Sequence, residues 1–234
     1  MIYLDHNATT PVLPEIFEAM RPYSCEEWGN PSSTYKFGSK LKTVIETARA
    51  QVAELIGTRP TQIIFTSCAT ESNNAAIHAA LKANPAKKHV VTSAVEHSSV
   101  LNYCMALEKD GFRLTYLPVD RGGLLKLADL ESAITDETAV VSLMWANNET
   151  GVLFPVKEVA GICTAREMLF RYDAVQAAGK IKIYVRKVLA DYLSLTGYEF
   201  YGPKGIGTLY VRRKAPFANT TNITSGGVES VLVS

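Results

Sequence analysis

The chain has 234 residues, 47% of them hydrophobic, with 24 Lys and Arg against 23 Asp and Glu for a formal net charge of +1. That is enough apolar material for one large buried core, and so even a balance excludes the clustered basic excess of a nucleic-acid or anionic-membrane surface. The start, M-I-Y-L-D-H, turns polar at once, and the longest apolar run, A-V-V-S-L-M-W-A at 139–146, is too short to cross a bilayer. A cytoplasmic protein is the expectation.

In chain order, residues 1–13 read as an N-terminal segment, 14–215 as one continuous domain and 216–234 as a tail. Short β-rich runs are predicted at Ile63 to Phe65, His89 to Ser93, Arg113 to Val119, Ala139 to Ala146, Met168 to Tyr172, Asp191 to Leu195 and Gly207 to Val211. Amphipathic stretches lie between the earlier ones, at Ser72 to Ala83, Ser99 to Lys109 and Val156 to Arg166. This alternation predicts a three-layer α/β fold, a mainly parallel sheet with helices on both faces, whose ligands bind at the carboxyl ends of the strands. The tail is polar and loop-like and reads as an interruption rather than the end of a domain. K-K-H at 87–89 and R-R-K at 212–214 read as solvated strand and loop ends.

Cys25, Cys68, Cys104 and Cys163 lie far apart with no C-x-x-C pair, and the four histidines have no H-x-x-H spacing. Neither a zinc site nor a disulfide framework is indicated, and reduced, mostly buried thiols are expected.

Several features fall where strands end. I-I-F-T-S-C-A-T-E-S-N-N at 63–74 runs from strand to helix through small and hydroxyl residues. The free amides of Ala69 and Thr70, with the Thr70 hydroxyl, can hold a phosphate or form an ordinary helix cap. His97, in V-E-H-S-S-V, follows a strand, where its ring can lie over a flat aromatic ligand or act as a polar cap. M-W-A-N-N-E-T-G at 144–151 offers consecutive amides, including Asn148, that can bond a ligand or satisfy loop backbone. Asp173 ends an apolar strand with Gln176 three residues on; it either caps the following turn or places a carboxylate against a ligand.

Together with Y-L-D-H-N-A-T-T-P at 3–11, G-N-P-S-S at 29–33 and T-G-Y-E-F-Y-G-P-K-G at 196–205, these segments resemble the cysteine desulfurases of iron–sulfur cluster assembly. These are fold-type I, class V aminotransferase-like enzymes that use pyridoxal 5'-phosphate, and the resemblance runs from Tyr3 to Arg213. It implies the large domain of that fold, a homodimer, L-cysteine as substrate and an iron–sulfur scaffold protein as a partner. Carried over residue by residue, Ala69, Thr70 and Thr196 would bind the phosphate, His97 would stack on the ring, Asn148 and Gln176 would contact it, and Asp173 would face the pyridine nitrogen. The family's phosphate-binding His is matched by Tyr198, and its Schiff-base Lys by Glu199. Gly197 before them and Gly202-Pro203-Lys204-Gly205 after them fix the register, so Lys204 is not the displaced anchor.

A carboxylate cannot form the Schiff base, so the resemblance implies a chain impaired in turnover. Arg171 and Tyr184 also differ from the usual family residues. Gly226-Gly227-Val228-Glu229 resembles the start of a further family segment. The chain stops before the loop with the sulfur-accepting Cys, before the Arg that holds the substrate carboxylate, and before most of the small domain. Two alternatives stand beside this expectation: a non-catalytic scaffold or dimerisation partner in iron–sulfur assembly, and a selenocysteine lyase or aminotransferase of the same fold.

Overall fold

The computed structural model describes residues 2–217. Two helices lead, α1 (Pro14–Cys25) and α2 (Lys36–Leu55). They are followed by β1 (Ile63–Thr66), α3 (Ala69–Ala83), β2 (His89–Ser93), α4 (Ser98–Lys109), β3 (Arg113–Leu117) and α5 (Leu127–Ala133). The described part closes with β4 (Thr138–Met144), α6 (Val156–Ala165), β5 (Leu169–Asp173), β6 (Tyr192–Thr196) and β7 (Gly207–Val211). All seven predicted strands are present. The runs at 113–119 and 139–146 end earlier than expected, because Val119 and Ala146 leave the sheet to form isolated bridges with Leu125 and Leu153.

The strands form one sheet in the order β1-β7-β6-β5-β4-β2-β3. β3, β2, β4, β5 and β6 run parallel, and β7 lies antiparallel to both its neighbours. Strands covered on both faces need no polar alternation, which is why every residue of β4 is buried. Successive side chains still point to opposite faces. Val140 packs with Ile77, Val100 and Cys104 under α3 and α4, whereas Val141 and Leu143 pack with Val159 and Cys163 of α6 on the other side.

Two expectations are corrected. His89 is not a solvated end: it is fully buried, its Nδ1 facing Thr138 Oγ1 and its Nε2 facing Thr115 Oγ1, each at 2.8 Å. Burial holds its pKa down at about 4. Only two of the four thiols are buried, Cys104 and Cys163, while Cys25 is exposed and Cys68 half-buried. Burial raises both buried thiols to about 12, which makes them inert packing groups. Gly226-Gly227-Val228-Glu229 lies outside the described residues.

The N-terminal segment is tied onto the turn after β6. The amide and hydroxyl of Thr10 donate to the Tyr198 carbonyl, at 3.2 and 2.6 Å, and the Leu13 amide donates to the Tyr201 carbonyl. Gly207 matters for a different reason. A Cβ there would stand 2.4 Å from the Cys68 carbonyl carbon, so only glycine lets β7 press against the turn between β1 and α3.

Candidate functional site

The parallel strands deliver their last residues to one edge of the sheet, and the chain turns there into polar segments. Ala69 and Thr70 open α3 after β1, and His97 caps α4 after β2. Asn148 follows β4, Asp173 ends β5, and a short 3-10 turn, Gly197–Phe200, follows β6. They enclose a cavity of about 330 Å³. Ala69, Thr70, His97 and Asn148 line one part of it, and Asp173, Gln176, Tyr198 and Glu199 the rest. Thr196 does not line it; its hydroxyl donates to the Ile206 carbonyl, 3.2 Å away, at the β6–β7 edge. Asp5, Asn7 and Ala8 of the N-terminal segment complete the wall.

Local chemistry decides where each group points. No side chain caps α3, so the first-turn amides of Ala69 and Thr70 stay available to an anion at the positive end of the helix. His97 is exposed, and its Nδ1 accepts from the Ser99 amide at 3.1 Å, which leaves Nε2 as the protonated nitrogen. The two asparagines after β4 divide the roles that the sequence leaves open. Asn147 organises the loop, its Oδ1 accepting from the amides of Glu149 and Thr150 and its Nδ2 donating to the Val95 carbonyl. Asn148 faces the cavity and donates to Glu149.

Asp173 caps the turn after β5 and borders the cavity. Its Oδ1 accepts from the Val175 amide at 3.0 Å and so caps the turn, while the carboxylate forms part of the cavity wall. Its Oδ2 accepts from Asn73 Nδ2 at 2.7 Å and stands 3.6 Å from the Arg171 guanidinium. Arg171 is completely buried. It donates to the hydroxyls of Ser142 and Ser194 and to Asn73 Oδ1. Burial lowers its pKa, opposed by Asp173 and Glu96. Glu96 is buried in the same layer, accepting from Ser93 and the Met144 amide, and burial raises its pKa to about 7.

Asn73 and Glu96 were not among the candidates, although polar residues such as Asn73 inside an otherwise apolar helix face carry the signal of a buried partner. Gln176 is half-buried and is held by the segment that crosses it, its Nε2 donating to the Asn7 carbonyl and its Oε1 accepting from Lys180 at 2.6 Å.

Glu96 Oε2 and Arg171 Nε in the buried layer have no hydrogen-bond partner, and neither does one oxygen of Glu199 at the cavity itself. Glu199 is 4% exposed, and its unpartnered oxygen is Oε2. Burial, reinforced by Asp173, raises its pKa, while Lys180 and Gln176 pull the other way. The half-buried Tyr198 hydroxyl beside it is pushed up by burial, with the Glu199 charge next in effect.

Comparison with known proteins agrees with this geometry. The aminotransferase class-V family model matches residues 2–232. Cysteine desulfurase 2 of Trichormus variabilis is 49% identical over 217 residues, covering 93% of this chain and 54% of that protein. The cysteine desulfurase of Rattus norvegicus is 46% identical, covering 97% and 50%. The chain thus spans about half the length of these relatives. Among solved structures, a NifS-like protein superposes with a TM-score of 0.89 at 39% identity over 92% of this chain and 60% of its own. SspA in complex with cysteine gives 0.90 at 38% over 93% and 64%. Cysteine desulfurases and class-V aminotransferases depend on pyridoxal 5'-phosphate. With the strand-edge cavity and the fold in agreement, the chain belongs to the aminotransferase class-V family, and the curated relatives named here are cysteine desulfurases.

Proposed function

We propose that this chain is a cysteine-desulfurase-like protein that holds pyridoxal 5'-phosphate without a covalent bond and does not by itself turn over L-cysteine. The observation that carries the reading is Glu199, a buried carboxyl with an unpartnered oxygen in the cavity, at the position the family gives to its lysine. The remaining residues fit the cofactor. The uncapped first turn of α3 suits its phosphate, the flat imidazole face of His97 suits its ring, and Asn148 and Gln176 suit the ring substituents. Asn73 and Arg171 fix the Asp173 carboxylate in the wall, where it can hold the proton of the pyridine nitrogen. When bound, the cofactor supplies an electron sink for carbanion chemistry. The covalent anchor does not fit: a carboxyl oxygen has no amine lone pair to give, and no positioned amine base stands in its place.

The expected result is no sulfide from L-cysteine and pyridoxal 5'-phosphate in the presence of this chain beyond that formed by the free cofactor. Sulfide well above that background, lost on Asp173→Ala, would overturn the reading.

A second reading, a homodimer or a non-catalytic partner subunit in iron–sulfur assembly, is favoured by the face of α1. That helix contains no buried residue. Its Phe17, Met20 and Tyr23 are exposed, as is Trp28, and Met20, Tyr23 and Trp28 border an apolar cleft of about 700 Å³ with Leu41 and Val44. Apolar surface of this kind drives association. Sedimentation should show a dimer or larger species, and a stable monodisperse monomer would count against it.

A further inference from the structure

Among the residues that line the cavity, only Glu199 has a buried side-chain polar atom without a hydrogen-bond partner. The Asp173 carboxylate is shared by the Val175 amide, Asn73 and Arg171, and Gln176 is held by Asn7 and Lys180. Glu199 Oε2 alone among them is buried and unpartnered. A buried carboxyl oxygen without a donor is costly, and a cationic donor is the partner that relieves it best. The cation nearest to Glu199 in its effect, Lys180, is exposed and engaged elsewhere, its Nζ donating to Gln176 Oε1 at 2.6 Å and to Asn7 Oδ1 at 3.2 Å. It is not part of the cavity wall. The site therefore presents an acceptor, and a potential anion, at the point where the family's pockets present an amine.

We propose that this pocket selects the amine form of the vitamin B6 phosphates, pyridoxamine 5'-phosphate, over the aldehyde form, by pairing the ligand's ammonium group with the Glu199 carboxylate. The inference rests on the reading of the cavity as a site for this cofactor class, and it adds which chemical form fits. The two ligands share the phosphate, ring and pyridine nitrogen, so α3, His97 and Asp173 do not discriminate between them. They differ at the substituent that reaches toward residue 199. An aldehyde oxygen there is a second acceptor facing a carboxyl, and it can neither donate to Glu199 nor react with it. An ammonium pairs with the Glu199 carboxylate and neutralises the charge that burial makes unfavourable. The selectivity expected from one charge-assisted hydrogen bond is about 10- to 100-fold.

Calorimetric titration of the folded chain with pyridoxamine 5'-phosphate, pyridoxal 5'-phosphate and inorganic phosphate tests this without reference to activity. The native chain should bind the amine form about 10- to 100-fold more tightly than the aldehyde form. Glu199→Gln should bring the ratio close to unity while keeping aldehyde-form binding. Equal or tighter binding of the aldehyde form by the native chain would overturn the selectivity but leave the cofactor-pocket reading standing. Failure of both forms to bind to folded protein would overturn both. A folded Glu199→Gln chain that keeps the full preference would remove Glu199 as its source, and the native-chain ratio remains decisive if that variant does not fold.

Discussion

Glu199→Lys should convert a chain that captures no aldehyde covalently into one that does. At saturating pyridoxal 5'-phosphate the variant should develop visible absorbance, and borohydride should fix the cofactor at residue 199, with peptide mapping locating the adduct. The reasoning is local. Asp173, Gln176, His97, Asn148 and the first turn of α3 already surround the position, and residue 199 is buried at the cavity wall. A lysine there is desolvated and stands beside the half-buried Tyr198, conditions that favour the neutral, nucleophilic amine. The substitution also removes the unpartnered Glu199 Oε2, so the variant should be at least as stable as the native chain. Folded Glu199→Lys protein that shows no fixed adduct would mean that the pocket differs from the family's in more than its anchor.

Arg171→Met should produce the largest loss of stability of any single substitution near the site. Among the described residues, Arg171 is the one cation in the buried layer formed with Glu96, Asp173 and Asn73, and removing one partner of a buried charge cluster costs about 3–5 kcal/mol. The loss should depend on pH. Glu96 has a folded-state pKa raised to about 7, above its unfolded value, so folding favours its protonated form. The native chain is therefore helped least by Glu96 once the pH passes about 7, where the carboxylate is charged and Arg171 offsets it. Without Arg171, urea unfolding should show a larger deficit at pH 8 than at pH 5.5. A deficit under about 1 kcal/mol, the scale of an exposed ion pair, or one larger at pH 5.5, would refute the cluster's role.

The strands were legible because they are buried on both faces and read as unbroken apolar runs, such as Ala139 to Met144. α1 and α2 were not singled out. α1 buries none of its residues in the described part of the chain, so its pattern does not announce a place against this sheet. At the site, His97, Asp173 and Glu199 could be found because each lies at or within a few residues of the carboxyl end of a strand. Asn73 could not, because its meaning lies in contacts with Arg171 and Asp173, which are 98 and 100 residues away. The same holds for Glu96, whose Oε1 accepts from the Met144 amide across 48 residues. Thr196 shows the reverse error: a hydroxyl at the right register for a ligand is used instead by the Ile206 carbonyl. Sequence register places backbone well and leaves open which way a side chain is engaged.

The cavity at the carboxyl edge of the sheet, as proposed, is a pyridoxal-phosphate pocket in which Glu199 replaces the covalent anchor and Tyr198 a phosphate-binding His. The most direct measurement is an absorbance titration of the native chain with pyridoxal 5'-phosphate, followed by borohydride and mass analysis. The native chain should show saturable binding that Asp173→Ala abolishes, with no adduct fixed at residue 199. Absence of saturable binding to folded protein, or binding indifferent to Asp173→Ala, would contradict it.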